Sequence, residues 1–177
     1  MVEIRFPYDV NRHYLSTHFR ATELQCGGIN DDCGCKKVVV VPRLLRSLET
    51  TREKLGLGVY GGIIINEGVR CLAYQRKLYK KINERRALKG LPPLKAPKVG
   101  YHVTGESVDT PSIVVPGEED SQEEAEYLEM LRSCGWVGIG ISKPVFDEET
   151  GSLVKRGWTH LDVRLGDAVI WRYGYGR

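Results

Sequence analysis

Two of the four histidines stand near carboxylates at spacings that suit a metal. In Tyr101-His102-Val103-Thr104-Gly105-Glu106-Ser107-Val108-Asp109, an imidazole precedes a carboxyl group, with a glycine between them. In Trp158-Thr159-His160-Leu161-Asp162, a second imidazole lies two residues before another acid. His102, Asp109 and His160 together offer two nitrogen donors and one oxygen donor. Such a set fills three corners of a tetrahedral Zn²⁺ and leaves the fourth open, as catalytic zinc sites do. Zinc pulls the pKa of a water at that corner down to about 7, which makes a nucleophile at neutral pH. Gly105 suits a loop wrapping an ion, because glycine tolerates positive φ. The competing reading of each histidine is a hydrogen-bonded residue of the core or its rim. His13 and His18 lie in the leading segment and are expected to face solvent.

Asp162 has two candidate roles. Alternate residues of a strand share a face, with Cα atoms roughly 6–7 Å apart. The carboxylate of Asp162 is therefore expected to act as general base, or else to orient the imidazole of His160 from behind. Arg70 offers a guanidinium that could grip a carboxylate or an oxyanion, or simply serve in a salt bridge at a strand end. The five cysteines are an odd number, expected to be reduced in a cytosolic chain. Cys26, Cys33, Cys35 and Cys71 could form a structural four-thiolate zinc site, remain scattered thiols, or pair as disulfides. Cys134 reads as a small core residue.

The elements that must hold these groups are legible in outline. Proline at 42 opens a helix carrying Leu44, Leu45, Leu48 and Leu55, and Gly56 and Gly58 stop it. Residues 59–65 form a short strand candidate. A second helix spans about 72–88, with Leu78 and Ile82 expected to face the core. Its Arg76, Lys77, Lys80, Lys81, Arg85 and Arg86 read as a solvated face in preference to a nucleic-acid surface. Residues 90–97 form a proline-rich surface connection. Ser121 and Glu124 make a capping box for a third helix that ends near Cys134 and Gly135. Strand candidates follow at 136–141 and 158–164, around a loop holding Glu149, Thr150 and Gly151. Trp136 and Trp158 are expected to pack on the sheet in preference to lining a peptide groove. The pattern is α+β: a small antiparallel β-sheet flanked by helices. The whole of 1–177 reads as one domain, with 1–36 an irregular cysteine-containing arm.

Composition narrows the function classes. With 177 residues, 41% hydrophobic and 28% charged, the chain suits one globular domain. A net charge of +3 does not suggest a polyanion binder, so no nucleic-acid partner is expected. No apolar run approaches a bilayer span, and the first residues lack a secretory h-region. Synthesis in the cytoplasm without a signal peptide is the expectation. The sequence sets no oligomeric state.

Taken in order, three segments resemble the zinc D-alanyl-D-alanine carboxypeptidase and murein peptidase family, whose fold is shared with the hedgehog signalling domain. Glu67-Gly68-Val69-Arg70 resembles the family's Ser-Gly-Tyr-Arg turn. Gly100 to Asp109 resembles its Ser-x-His-x-x-Gly-x-Ala-x-Asp motif, with glycine and serine in place of the serine and alanine. Trp158 to Asp162 resembles its Trp-x-His-x-Asp motif. The likeness covers about residues 15–165 and includes a Phe19…Glu23-Leu24…Cys26 stretch like the leading segment of phage-type members. The resemblance implies a hedgehog-type peptidase fold, with Zn²⁺ held by His102, Asp109 and His160 and with Arg70 near the substrate's carboxylate or carbonyl. It implies hydrolysis of peptide bonds in the stem peptides of peptidoglycan, with phage lysis or carriage in a virion as a route outward. Several relatives place an acid three residues before the last zinc histidine, and here that position is Gly157. The alternative is therefore a non-catalytic zinc-fold module, structural or virion-borne, that has lost its base.

Overall fold

The computed structural model of the chain describes residues 2–4, 14–27, 34–57, 61–95 and 100–173. Strand β1 (Val2–Ile4) pairs antiparallel with β2 (Val38–Val40), and helix α1 (Ala21–Leu24) lies between them in sequence. The leading 36 residues thus hold regular elements where an irregular arm was expected. Helix α2 (Pro42–Lys54) begins with proline at its first position, where the missing N–H costs no hydrogen bond. It buries Leu44 and Leu48, the stripe that its apolar spacing predicts. Helix α3 (Leu72–Leu88) buries Tyr74 and Gln75 in its first turn. Leu78 and Ile82 are only half-buried, so this helix anchors by one end and carries its basic residues outward. Asn83 and Arg86 hold the proline-rich connection through Leu94 and Pro92.

The site-bearing sheet comprises β3 (Ser107–Thr110), β4 (Gly138–Ser142), β7 (Trp158–Asp162) and β8 (Val169–Arg172), in the order β3-β7-β4-β8. Helix α4 (Tyr101–Thr104) leads into β3, and α5 (Gln122–Ser133) lies between β3 and β4 in sequence. The β3–β7 and β7–β4 pairs are antiparallel, but β4–β8 is parallel. The sheet is therefore mixed where a wholly antiparallel one was expected. The departure comes from β8, whose half-exposed apolar residues gave no clear alternation. A separate hairpin, β5 (Val145–Phe146) with β6 (Leu153–Lys155), encloses the expected loop at 149–151. Residues 61–65 form no strand, although Ile63 and Ile65 are buried. Just beyond this stretch, a bridge of Glu67 with Asp109 joins the chain to the sheet; residues 59 and 60 lie outside the described ones.

The core gathers Leu24, Leu44, Leu48, Ile113, Leu131, Ile139 and Leu161 around Trp136. The Trp136 indole N–H donates to Thr51 Oγ1 at 2.7 Å, which satisfies its one polar atom inside the core. Cys134 is buried at the end of α5, as a small core residue should be. Ser121 caps α5 by accepting from the Glu124 N–H at 3.2 Å. The carboxylate of Glu124 reaches back to the N–H of Asp120 instead of closing the box on Ser121.

Candidate metal centre

Strand register aligns the site. Asp109, His160, Gly140 and Trp171 sit opposite one another across all four strands of the sheet. Ser107, Asp162, Gly138 and Val169 form the neighbouring row two residues along, on the same face. Opposite-face residues of β7, Thr159 and Leu161, are fully buried in the core. The period of two in Trp158-Thr159-His160-Leu161-Asp162 thus separates chemistry from packing.

His102 reaches this row from α4. Gly105 ends that helix at φ +72°, and any Cβ there would run into the carbonyl of Val39, so only glycine permits the turn. His102, Asp109 and His160 offer one donor atom each within 4.8 Å of one another. His160 Nδ1 lies 2.7 Å from Asp109 Oδ1, and His102 Nε2 lies 3.3 Å from the same oxygen and 3.2 Å from His160 Nδ1. Zinc bonds of about 2.0–2.1 Å at tetrahedral angles would separate such donors by roughly 3.3 Å. The outer nitrogens are engaged as well: His102 Nδ1 faces the Gly68 carbonyl at 2.6 Å, and His160 Nε2 faces Asp162 Oδ2 at 3.4 Å. Each ring therefore presents one nitrogen to the centre and gives the other to an orienting acceptor, the pattern that fixes tautomer and angle in metal sites. The residues present fit a small ion that takes nitrogen and oxygen ligands.

The charged groups act on one another across this centre. Burial pushes Asp109 upward, but the His102 and His160 rings outweigh it and hold the carboxyl well below its usual range. Burial opposes charge on His160, yet Asp109 and Asp162 together raise its pKa. Asp162 is fully buried; despite that, its bonds to Arg164, then to His160, lower its pKa to about 2. Arg164 Nε donates to Asp162 Oδ1 at 2.7 Å, and Nη2 donates to Oδ2. A carboxylate so held is a poor proton acceptor near pH 7, because a general base works best with its pKa close to the operating pH. Of the two roles expected for Asp162, its surroundings favour orienting His160 over accepting a proton.

The Arg70 side chain is 13% exposed. Its Nε and Nη2 donate to the carboxylate of Glu67 at 2.6 and 2.5 Å, and Nη2 also reaches Asp109 Oδ2 at 3.1 Å. Its backbone N–H bonds the His102 carbonyl at 3.0 Å, which ties the turn to α4. The guanidinium thus bridges the carboxylates of Glu67 and Asp109. A Cβ on Gly157 would meet Pro144 Cδ and the Ser142 carbonyl, both at 2.9 Å, so packing against the start of the hairpin leaves no room for a side chain at this position.

Several residues of the site have no obvious signature in the sequence. Arg164 continues the period-two face of His160 and Asp162, and that continuation is the signal that could have found it. Its guanidinium also stacks on Tyr101 at 4.2 Å and Trp171 at 5.2 Å. Trp171 lies 5.3 Å from the His160 ring, and Tyr173 and Trp158 extend this aromatic rim. The alternating glycines of Gly138-Ile139-Gly140 are the other signal. A Cβ at 140 would come within 2.5 Å of the Trp171 ring, and one at 138 would enter the Asp162 carboxylate. Bare backbone on β4 lets both groups lie flat beside His160.

Cys26, Cys35 and Cys71 also converge, their sulfur atoms all within 4.8 Å of one another; Cys33 lies outside the described residues, as does His13. His18 is exposed and bonds Glu49 at 2.7 Å. Among the described residues, no helix is long and apolar enough to cross a membrane. Compared with family models and with curated proteins, the chain matches none.

Proposed function

We propose that the chain is a zinc-dependent peptidase acting on the stem peptides of bacterial peptidoglycan, on a hedgehog-type peptidase fold. The observation that carries this reading is the convergence of His102 Nε2, His160 Nδ1 and Asp109 Oδ1, with each ring anchored from behind. Zn²⁺ in such a site polarises a carbonyl and lowers the pKa of a water toward about 7. His102, Asp109 and His160 would hold it. Gly68 and Asp162 fix the two rings, Arg164 keeps Asp162 ionised, and Arg70 with Glu67 steadies Asp109. The aromatic rim of Trp171, Tyr173 and Trp158 offers apolar surface beside the centre for the substrate's backbone and side chains.

Turbidity of purified cell walls tests the proposal. Wild-type protein is expected to clear the suspension and His160→Ala to leave it turbid. Equal, background-level clearing by both would instead support a non-catalytic zinc-fold module. One observation favours that second reading: the packed Gly157 position and the Arg164-bound Asp162 leave no evident proton acceptor among these residues.

A further inference from the structure

We propose that Cys26, Cys35 and Cys71 form a second metal site, binding a structural Zn²⁺ through thiolates and independent of the histidine centre. Zinc–sulfur bonds of about 2.3 Å at tetrahedral angles place thiolates roughly 3.8 Å apart, and here three sulfurs share one neighbourhood within 4.8 Å. A disulfide would join two of them at about 2 Å and would give no reason for the third to converge. Soft thiolate donors select zinc over magnesium or calcium.

Backbone N–H groups already point at the sulfurs. Cys71 occupies the N-cap of the 17-residue helix α3, where the helix dipole and the N–H of Tyr74, 3.4 Å from Cys71 Sγ, stabilise a thiolate. The Cys71 N–H donates to Cys26 Sγ at 3.0 Å. Such bonds favour the charged form of an acceptor that burial would otherwise neutralise, and Cys26 is fully buried. The Cys26 N–H bonds the Lys37 carbonyl at 2.7 Å, which holds the end of α1 beside the segment carrying Cys35. The ion would thus clamp three stretches of chain: the end of α1, the approach to β2 and the start of α3. Cys71 directly follows Arg70, so the clamp also fixes the turn that steadies Asp109.

Elemental analysis of the full chain purified with zinc tests the site. Wild type is expected to carry two zinc ions per chain, and Cys35→Ser, Cys71→Ser and His160→Ala one each. Cobalt-substituted His160→Ala should keep a near-ultraviolet thiolate-to-cobalt band, and Cys35→Ser should lose it. Cys35 is exposed, so its replacement should spare the core, and the cobalt spectrum of His160→Ala needs no cysteine variant at all. Wild-type zinc content in both cysteine variants would overturn the proposal. So would absence of the cobalt band from His160→Ala, or two fewer alkylatable thiols in the denatured, unreduced chain. Retention of two zinc ions by His160→Ala would sink the peptidase reading while leaving the thiolate site standing.

Discussion

The histidine centre and the cysteine cluster meet the same short stretch from opposite ends: Gly68 accepts from His102, Arg70 touches Asp109, and Cys71 belongs to the sulfurs. Their construction differs. The histidine centre rests on paired strands, and its ligands are braced by carbonyl, carboxylate and guanidinium partners that set ring angles. The cysteine cluster gathers residues from loops and helix ends, with the backbone N–H groups of Cys71 and Tyr74 turned toward its sulfurs. A centre that must present an open position to substrate needs ligands held rigidly by their neighbours. A centre that only ties segments together can let the ion supply the rigidity.

The contrast predicts separable failures. His160→Ala should lower cell-wall clearing by at least ~100-fold, beyond the range typical of lost supporting groups, while the thermal midpoint changes little; equal losses of both would merge the two sites. Cys35→Ser should do the reverse. Loss of a cross-link over loops of this size typically costs about 2–4 kcal/mol, or roughly 5–15 °C of melting temperature, read by calorimetry with clearing measured well below the transition. If the midpoint of Cys35→Ser matched wild type, the clamp would have no structural effect.

Smaller changes sharpen the distinction. Gly140→Ala should press on the Trp171 ring beside His160 and cost about 1–3 kcal/mol as overpacking does, with reduced clearing and unchanged cobalt–thiolate absorption. The smallest effect concerns a charge outside both clusters. Glu124 is buried, which alone would raise its pKa, but the Asp120 N–H, Arg172 and Lys143 hold it below its ordinary value. A depressed folded-state pKa contributes stability that is fully present above the unfolded value and is lost as pH falls through the folded one. Glu124→Gln should therefore cost about 1 kcal/mol at pH 7, the typical net contribution of one hydrogen bond, and less in acid. Denaturant titrations at pH 7 and pH 3 measure both ends.

Local patterns carried the helices. Pro42, the Leu44–Leu48 stripe and the Ser121 cap act within a few residues, so α2 and α5 lie close to where spacing puts them. The identities of His102, Asp109 and His160 were legible as donors of the right chemistry with a glycine beside them. Their supports were not. Arg164 carries only a faint local signal, the period-two face it shares with Asp162, and Trp171 takes on meaning only through cross-strand register, which joins residues far apart in the chain. Residues 61–65 show the opposite case: their β-branched composition suits a strand, but β3 pairs along its length with β7, and the chain meets Asp109 only at the Glu67 bridge beyond the stretch.

What the sequence determined by itself is the inventory: two imidazoles and a carboxyl group able to ligate zinc, the thiols, and the helices whose periodicity is local. What only the tertiary structure decided is which atoms face inward and what stands behind them. The parallel addition of β8, the row that joins Asp109 to Trp171 and the turn of Arg70 toward Asp109 all arise from contacts between distant segments. Donor chemistry resides in single side chains, whereas orientation depends on the packing of many, and no window along the chain contains it.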